Sequence, residues 1–95
     1  MSPDLLFAIA HELRHVWQIR TDSARWLDGY QPREECENIE AYNLQPAEID
    51  ANAFGGVVMV DLFGLFPRFD GVPESVKWHI YARMEELKGE LNADG

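Results

Sequence analysis

Residues 5–20 read Leu5-Leu6-Phe7-Ala8-Ile9-Ala10-His11-Glu12-Leu13-Arg14-His15-Val16-Trp17-Gln18-Ile19-Arg20, and their periodicity decides the fold. Leu6, Ile9, Ala10, Leu13, Val16 and Trp17 recur at helical spacing, as on one apolar face. Just upstream, Ser2 suits an N-cap, Pro3 the first helical position and Asp4 the positive end of the helix dipole. These signals predict a helix over about 3–20. Thr21-Asp22-Ser23 either ends it or caps a short continuation.

The same helix contains His11-Glu12-Leu13-Arg14-His15, an H-E-x-x-H arrangement. Four residues advance about 6 Å and nearly close one helical turn, so the two imidazoles share a face. They can then grip one small ion such as zinc, which takes imidazole nitrogen at about 2.0–2.1 Å. Glu12, rotated to one side, is placed to contact a metal-bound water rather than the metal. The plain alternative is a pair of polar core or solvated histidines.

A zinc site needs a third protein ligand. Where some zinc motifs continue to a glycine and a third histidine, this chain has Gln18 and Thr21. His79 stands alone in a later helix, which suits a structural role better than a ligand. Glu48 is favoured, because it opens Glu48-Ile49-Asp50-Ala51-Asn52-Ala53-Phe54 at the start of a second helix. Asn52, four residues on, shares its face and is placed to hold a ligand histidine by its other ring nitrogen. Asp50 points to a different face. The plain reading of Glu48 is a charge that complements the helix dipole.

Working outward, Gln45-Pro46 opens that second helix, with a body at about 46–63. It is apolar nearly all round, as a central helix should be. Gly55-Gly56 lies inside it. Each helical glycine costs about 1 kcal/mol relative to alanine, so the pair suggests that another backbone approaches there. Gly64, Pro67, Gly71 and Pro73 break the chain before a third helix at about 74–91, striped by Val76, Ile80, Met84, Leu87 and Leu91. Residues 24–45 allow two readings. Trp26-Leu27 and Tyr30 around Asp28-Gly29 could form a small hairpin, or Pro32 with Glu34, Glu35, Glu37 and Glu40 could open an acidic helical turn. The expected fold is mainly α, a three-helix core in one domain over residues 1–95.

His11-Glu12-x-x-His15 with Glu48-x-x-Ala51-Asn52-x-Phe54 resembles the gluzincin metallopeptidases, most nearly those of ImmA/IrrE type. The resemblance covers roughly residues 5–60. It implies that His11, His15 and Glu48 bind zinc and that Glu12 is the catalytic glutamate of a zinc metallopeptidase. Arg14 stands where that family commonly has glycine. Zincins also carry a β-sheet before the active-site helix. Only ten residues precede His11 here, so the expected fold lacks that sheet and reads as a minimal or partial zincin-like core. An apolar face of helix 1 left uncovered would recruit a second copy or an upstream segment. The alternative function is a non-catalytic metal-binding helical module acting in protein interaction.

Hydrolysis also needs a donor for the tetrahedral oxyanion. Tyr42, Tyr81, His79 and Arg14 are candidates, with Tyr42 first because it precedes Glu48 closely. The wider composition limits the partners. Eight basic and 17 acidic residues give a formal charge of -9, which disfavours nucleic acid and anionic membrane surfaces. The apolar run from Ala51 to Phe66 is shorter than the roughly 20 residues of a membrane span, and it reads as a buried helix. Cys36, the single cysteine, cannot form an internal disulfide and reads as a free structural thiol. These features suggest a cytoplasmic protein, and the family resemblance implies a peptide or protein substrate.

Overall fold

A computed structural model describes residues 2–93. Its first helix, α1, spans Pro3–Leu27, and the Ser2 hydroxyl accepts from the Leu5 amide at 3.2 Å. The helix passes the end expected near residue 20. Asp22 leaves helical geometry (φ −161°, ψ 72°), and its Oδ1 accepts from the Arg25 amide at 3.1 Å. Asp22 thus caps a continuation that carries Trp26 into the core. That continuation occupies the residues a first hairpin strand would need. Asp28-Gly29 is a turn at a helix end, and no strand is present among the described residues.

The segment after it follows the helical-turn reading. A 3-10 turn at Arg33–Glu35 follows Pro32, and α2, Ile39–Asn43, is capped by Asn38 Oδ1 on the Ala41 amide at 2.7 Å. The third helix, α3, spans Pro46–Phe63, as predicted, and stops at Gly64 in the left-handed region (φ 65°). The last helix, α4, spans Glu74–Ala93. With 77% of the described residues helical, the mainly α fold is observed.

α3 is the centre and packs against both α1 and α4. Apart from Arg83 on Asp50, its contact with α4 is apolar: Ala53, Val57, Val76, Ile80, Met84 and Leu87 are buried there, joined by Phe69 from the intervening connection. Burying each large aliphatic side chain contributes about 1.5–3 kcal/mol. Leu91, expected on this stripe, is exposed. Arg83 already meets Asp50 near the start of α3, so Leu91, two turns further on, has run past it. The apolar run from Ala51 is buried through Met59, while Leu62, Phe63, Leu65 and Phe66 are exposed. No helix among the described residues is long and apolar enough to cross a membrane.

The glycine pair receives side chains rather than a backbone. A Cβ on Gly55 would lie 2.8 Å from the Phe7 ring, and one on Gly56 would lie 3.0 Å from Met84 Sδ and 3.2 Å from Phe69 Cζ. Helix α1 leaves most of its apolar stripe uncovered. Of its apolar stripe only Ala10 is buried, and Ile9, Leu13, Val16 and Trp17 are exposed, Leu13 by 61%. The inward face carries Arg14 and Gln18, with His11 and His15 half-buried beside them. The reason lies across the interface. Glu48 and Asp50 are buried in α3, and a buried carboxylate without partners costs more than exposed leucines do.

Candidate metal centre

The helical spacing of His11 and His15 brings their rings together on α1, edge to face at 4.7 Å between centroids. Glu48, in the first turn of α3, faces both and is 2% exposed. His11 Nε2 lies 3.3 Å from Glu48 Oε1, and His15 Nε2 lies 3.1 Å from Oε2. Each residue offers a ligand atom within 4.8 Å of the others, so the three form a group that could hold a metal ion. A tetrahedral ion with bonds of about 2.0–2.1 Å sets its ligands roughly 3.3 Å apart, and each histidine nitrogen lies about that far from one oxygen of Glu48.

The outer ring nitrogens fix the orientation of this triad. His15 Nδ1 is 2.9 Å from Gln18 Oε1, and Gln18 Nε2 donates to Ala47 O (3.0 Å) and Asp50 Oδ2 (2.9 Å). Both Nε2 partners are pure acceptors, so the Gln18 amide has one consistent orientation and its oxygen must face His15. Nδ1 of His15 therefore donates, and Nε2 presents its lone pair towards Glu48. On His11, Nδ1 lies 3.3 Å from Glu12 Oε1. Glu12 is 76% exposed and stands outside the ligand group, as suits a base rather than a ligand.

Two imidazole lone pairs facing a carboxylate call for a cation between them. Without metal that cation is a proton, and the hydrogen bond to Glu48 raises the His15 pKa despite partial burial. Burial opposes ionisation of Glu48, but hydrogen bonds from His11, His15 and Tyr30 outweigh it and hold the carboxyl well below the usual range. Tyr30 donates to Glu48 Oε2 at 2.7 Å. Burial, then the bond to Glu48, pushes the Tyr30 phenol up, so it stays a donor. Tyr30 is set in place by Gln45, whose side chain bonds both the amide and the carbonyl of Gln31 at 2.7 and 2.9 Å.

Behind the triad lies a second buried carboxylate. Asp50, 1% exposed, accepts from Arg14 Nε at 2.7 Å, from Gln18, and from Arg83 Nε at 2.9 Å. Burial opposes its ionisation, but Arg14, Gln18 and Arg83 together lower its pKa. Asp50 is therefore a junction of α1, α3 and α4 and takes no part in the ligand group.

The other expected residues take separate places. Asn52 is buried and lines the cavity beside His11 and Glu48, whereas the histidine support it was expected to give comes from Gln18. Tyr42 lines the same cavity, and burial raises its pKa, leaving a neutral hydroxyl able to donate. Arg14 is committed to Asp50, and His79 is exposed on α4. Cys36 is half-buried as a free thiol, 3.6 Å from the Gln31 carbonyl. Compared with known protein families, characterised proteins and solved structures, the chain matches none of them.

Proposed function

We propose that this chain is a zinc-dependent metallopeptidase core, with His11, His15 and Glu48 as the metal ligands. The observation that carries this reading is the convergence of two Nε2 atoms and one carboxylate within 4.8 Å of one another, with Glu12 outside the group. Two imidazoles and one carboxylate are the ligand types of a catalytic zinc site with a position left for water. When bound, zinc supplies Lewis acidity that polarises a carbonyl and makes water a nucleophile near neutral pH.

The chain's own residues do the rest. Glu12, exposed beside His11, accepts the proton of the attacking water and passes it to the leaving amine. Glu48 balances the charge of the ion, and Tyr30 keeps that carboxylate aimed. Tyr42 is positioned at the cavity to donate to the developing oxyanion. The exposed apolar row on α1 gives a second copy or a further chain segment a place to pack. A free thiol at Cys36 suits a reducing, cytoplasmic setting.

The test separates the two carboxylates. Glu12→Gln keeps zinc and abolishes chelator-sensitive cleavage of an unstructured peptide, because it removes a base and no ligand. Glu48→Gln weakens zinc binding instead. The reverse pattern contradicts the assignment. Zinc binding without hydrolysis in the unaltered chain favours the non-catalytic metal-binding module.

A further inference from the structure

We propose that the outward face of α4 is an interface between two copies of this chain, packed antiparallel about a two-fold axis at Tyr81. At about 100° per residue, Glu74, Lys77, Trp78, Tyr81, Glu85 and Lys88 share one side of the helix, while Val76, Ile80 and Leu87 are buried on another. The inference is independent of the metal reading.

The charges on this face are complementary to themselves. The chain has two lysines against 17 acidic residues, and both lysines are here, Lys77 at 3.0 Å from Glu74 and Lys88 at 3.6 Å from Glu85. The face is therefore neutral in a chain of formal charge -9, so a second copy meets no net repulsion on it. The two Glu–Lys pairs are also placed evenly about Tyr81. Glu74 and Lys88 lie seven residues to either side of it, and Lys77 and Glu85 lie four. A two-fold axis at Tyr81 inverts their order, so Glu74 of each copy meets Lys88 of the other, and Lys77 meets Glu85. Four charges then alternate in sign at each end of the interface.

Apolar surface fills the space between the charges. Trp78 is 78% exposed, although tryptophan is a residue type enriched where interfaces gain most of their energy. Phe66 is exposed as well, and its ring lies 5.5 Å from that of Tyr81, so it comes to the axis with it. Phe66 and Tyr81 border a groove of about 170 Å³ between α3 and α4, which Glu85 and Lys88 also line. The antiparallel register sets Trp78 of each copy level with Ala82 and Glu85 of the other. Ala82 is small, and a Cβ on Gly89 would meet nothing within 4 Å, so the indole has room to lie across the other helix. One helix and a flanking ring make a small interface, so the dimer is weak and depends on concentration.

Sedimentation velocity with charge-swapped variants tests this. The unaltered chain should dimerise reversibly below about 1 mM, and Trp78→Ala should weaken the dimer at least about tenfold. Glu74→Lys and Lys88→Glu change exposed side chains and leave the fold intact, which circular dichroism checks. Each variant alone sets like charges together at both ends of the interface and should stay monomeric. Mixed in equal amounts, the two should pair, because each supplies the charge that the other lacks. Leu13→Gln, on α1, should leave the dimer unchanged. A strict monomer of the unaltered chain at about 1 mM, or a mixture no more associated than its components, overturns the inference. So does a dimer that withstands Trp78→Ala and the charge changes but is lost with Leu13→Gln, since that places the interface on α1.

Discussion

The two sides of α3 are made from opposite materials. Towards α4 it presents Ala53 and Val57 to Val76, Ile80, Met84 and Leu87, an interface of carbon held together by area. Towards α1 it presents Glu48 and Asp50 to His11, Arg14, His15 and Gln18, an interface of charges and hydrogen bonds. Apart from Arg83 on Asp50, the first tolerates changes of pH and metal, since nothing else in it titrates. The second holds only while each buried charge keeps its partners. The group that could hold a metal ion therefore sits on the interface whose stability depends on conditions, and the fold leans on the other.

Asp50→Ala is the most severe way to break this contrast. It strands buried Arg14 and frees the Gln18 amide, for an expected loss of about 3–5 kcal/mol by urea unfolding. Zinc affinity should fall as well, because the support of His15 goes with it. Ile80→Ala, at 0% exposure, should cost about 2–5 kcal/mol and leave zinc affinity of the folded fraction unchanged. Equal effects of the two substitutions on zinc affinity would mean that the division of labour is wrong.

Acidity sharpens the comparison further. Glu48 and Asp50 have lowered pKa values, so their contribution is full above the ordinary carboxylate range and is lost as pH falls through their folded values. The raised pKa of His15 works the other way. Its contribution in the metal-free protein is full below 6.5 and is lost as pH rises through the folded value. Metal-free stability should therefore peak in weakly acidic solution. Zinc takes the place of the His15 proton, so it should abolish the loss on the alkaline side. Thermal melts across pH with and without zinc read this directly. An alkaline loss that persists in saturating zinc would contradict it.

The smallest effect belongs to the outward face of α1. Leu13→Gln should change stability by less than about 0.5 kcal/mol, since the side chain is already in solvent. That substitution would be damaging if the helix packed as its periodicity alone predicts. This is where sequence and structure part. The rule that apolar periodicity marks the buried face fails on α1, because Glu48 and Asp50 claim the opposite face.

The site itself was legible in part. His11, His15 and Glu48 follow from an i, i+4 pair and a carboxylate at a helix start, both local signals. Gln18 had a signal too: it lies three residues after His15 and so one turn away on the same side. Tyr30 had none. It reaches Glu48 through a loop that Gln45 ties to Gln31, and no spacing rule foretells that contact. Asn52 shares the face of Glu48, as its spacing requires, but Gln18 reaches His15 from within the same helix and supplies the bond instead.

The central claim is that α1 and α3 meet around one metal ion. Zinc titration against a chromophoric chelator, on the unaltered chain and on the His11→Ala/His15→Ala variant, tests it most directly. The account predicts one zinc per chain, a higher melting temperature with zinc than without it, and loss of both in the variant. Stoichiometric zinc that survives removal of the two histidines would contradict it.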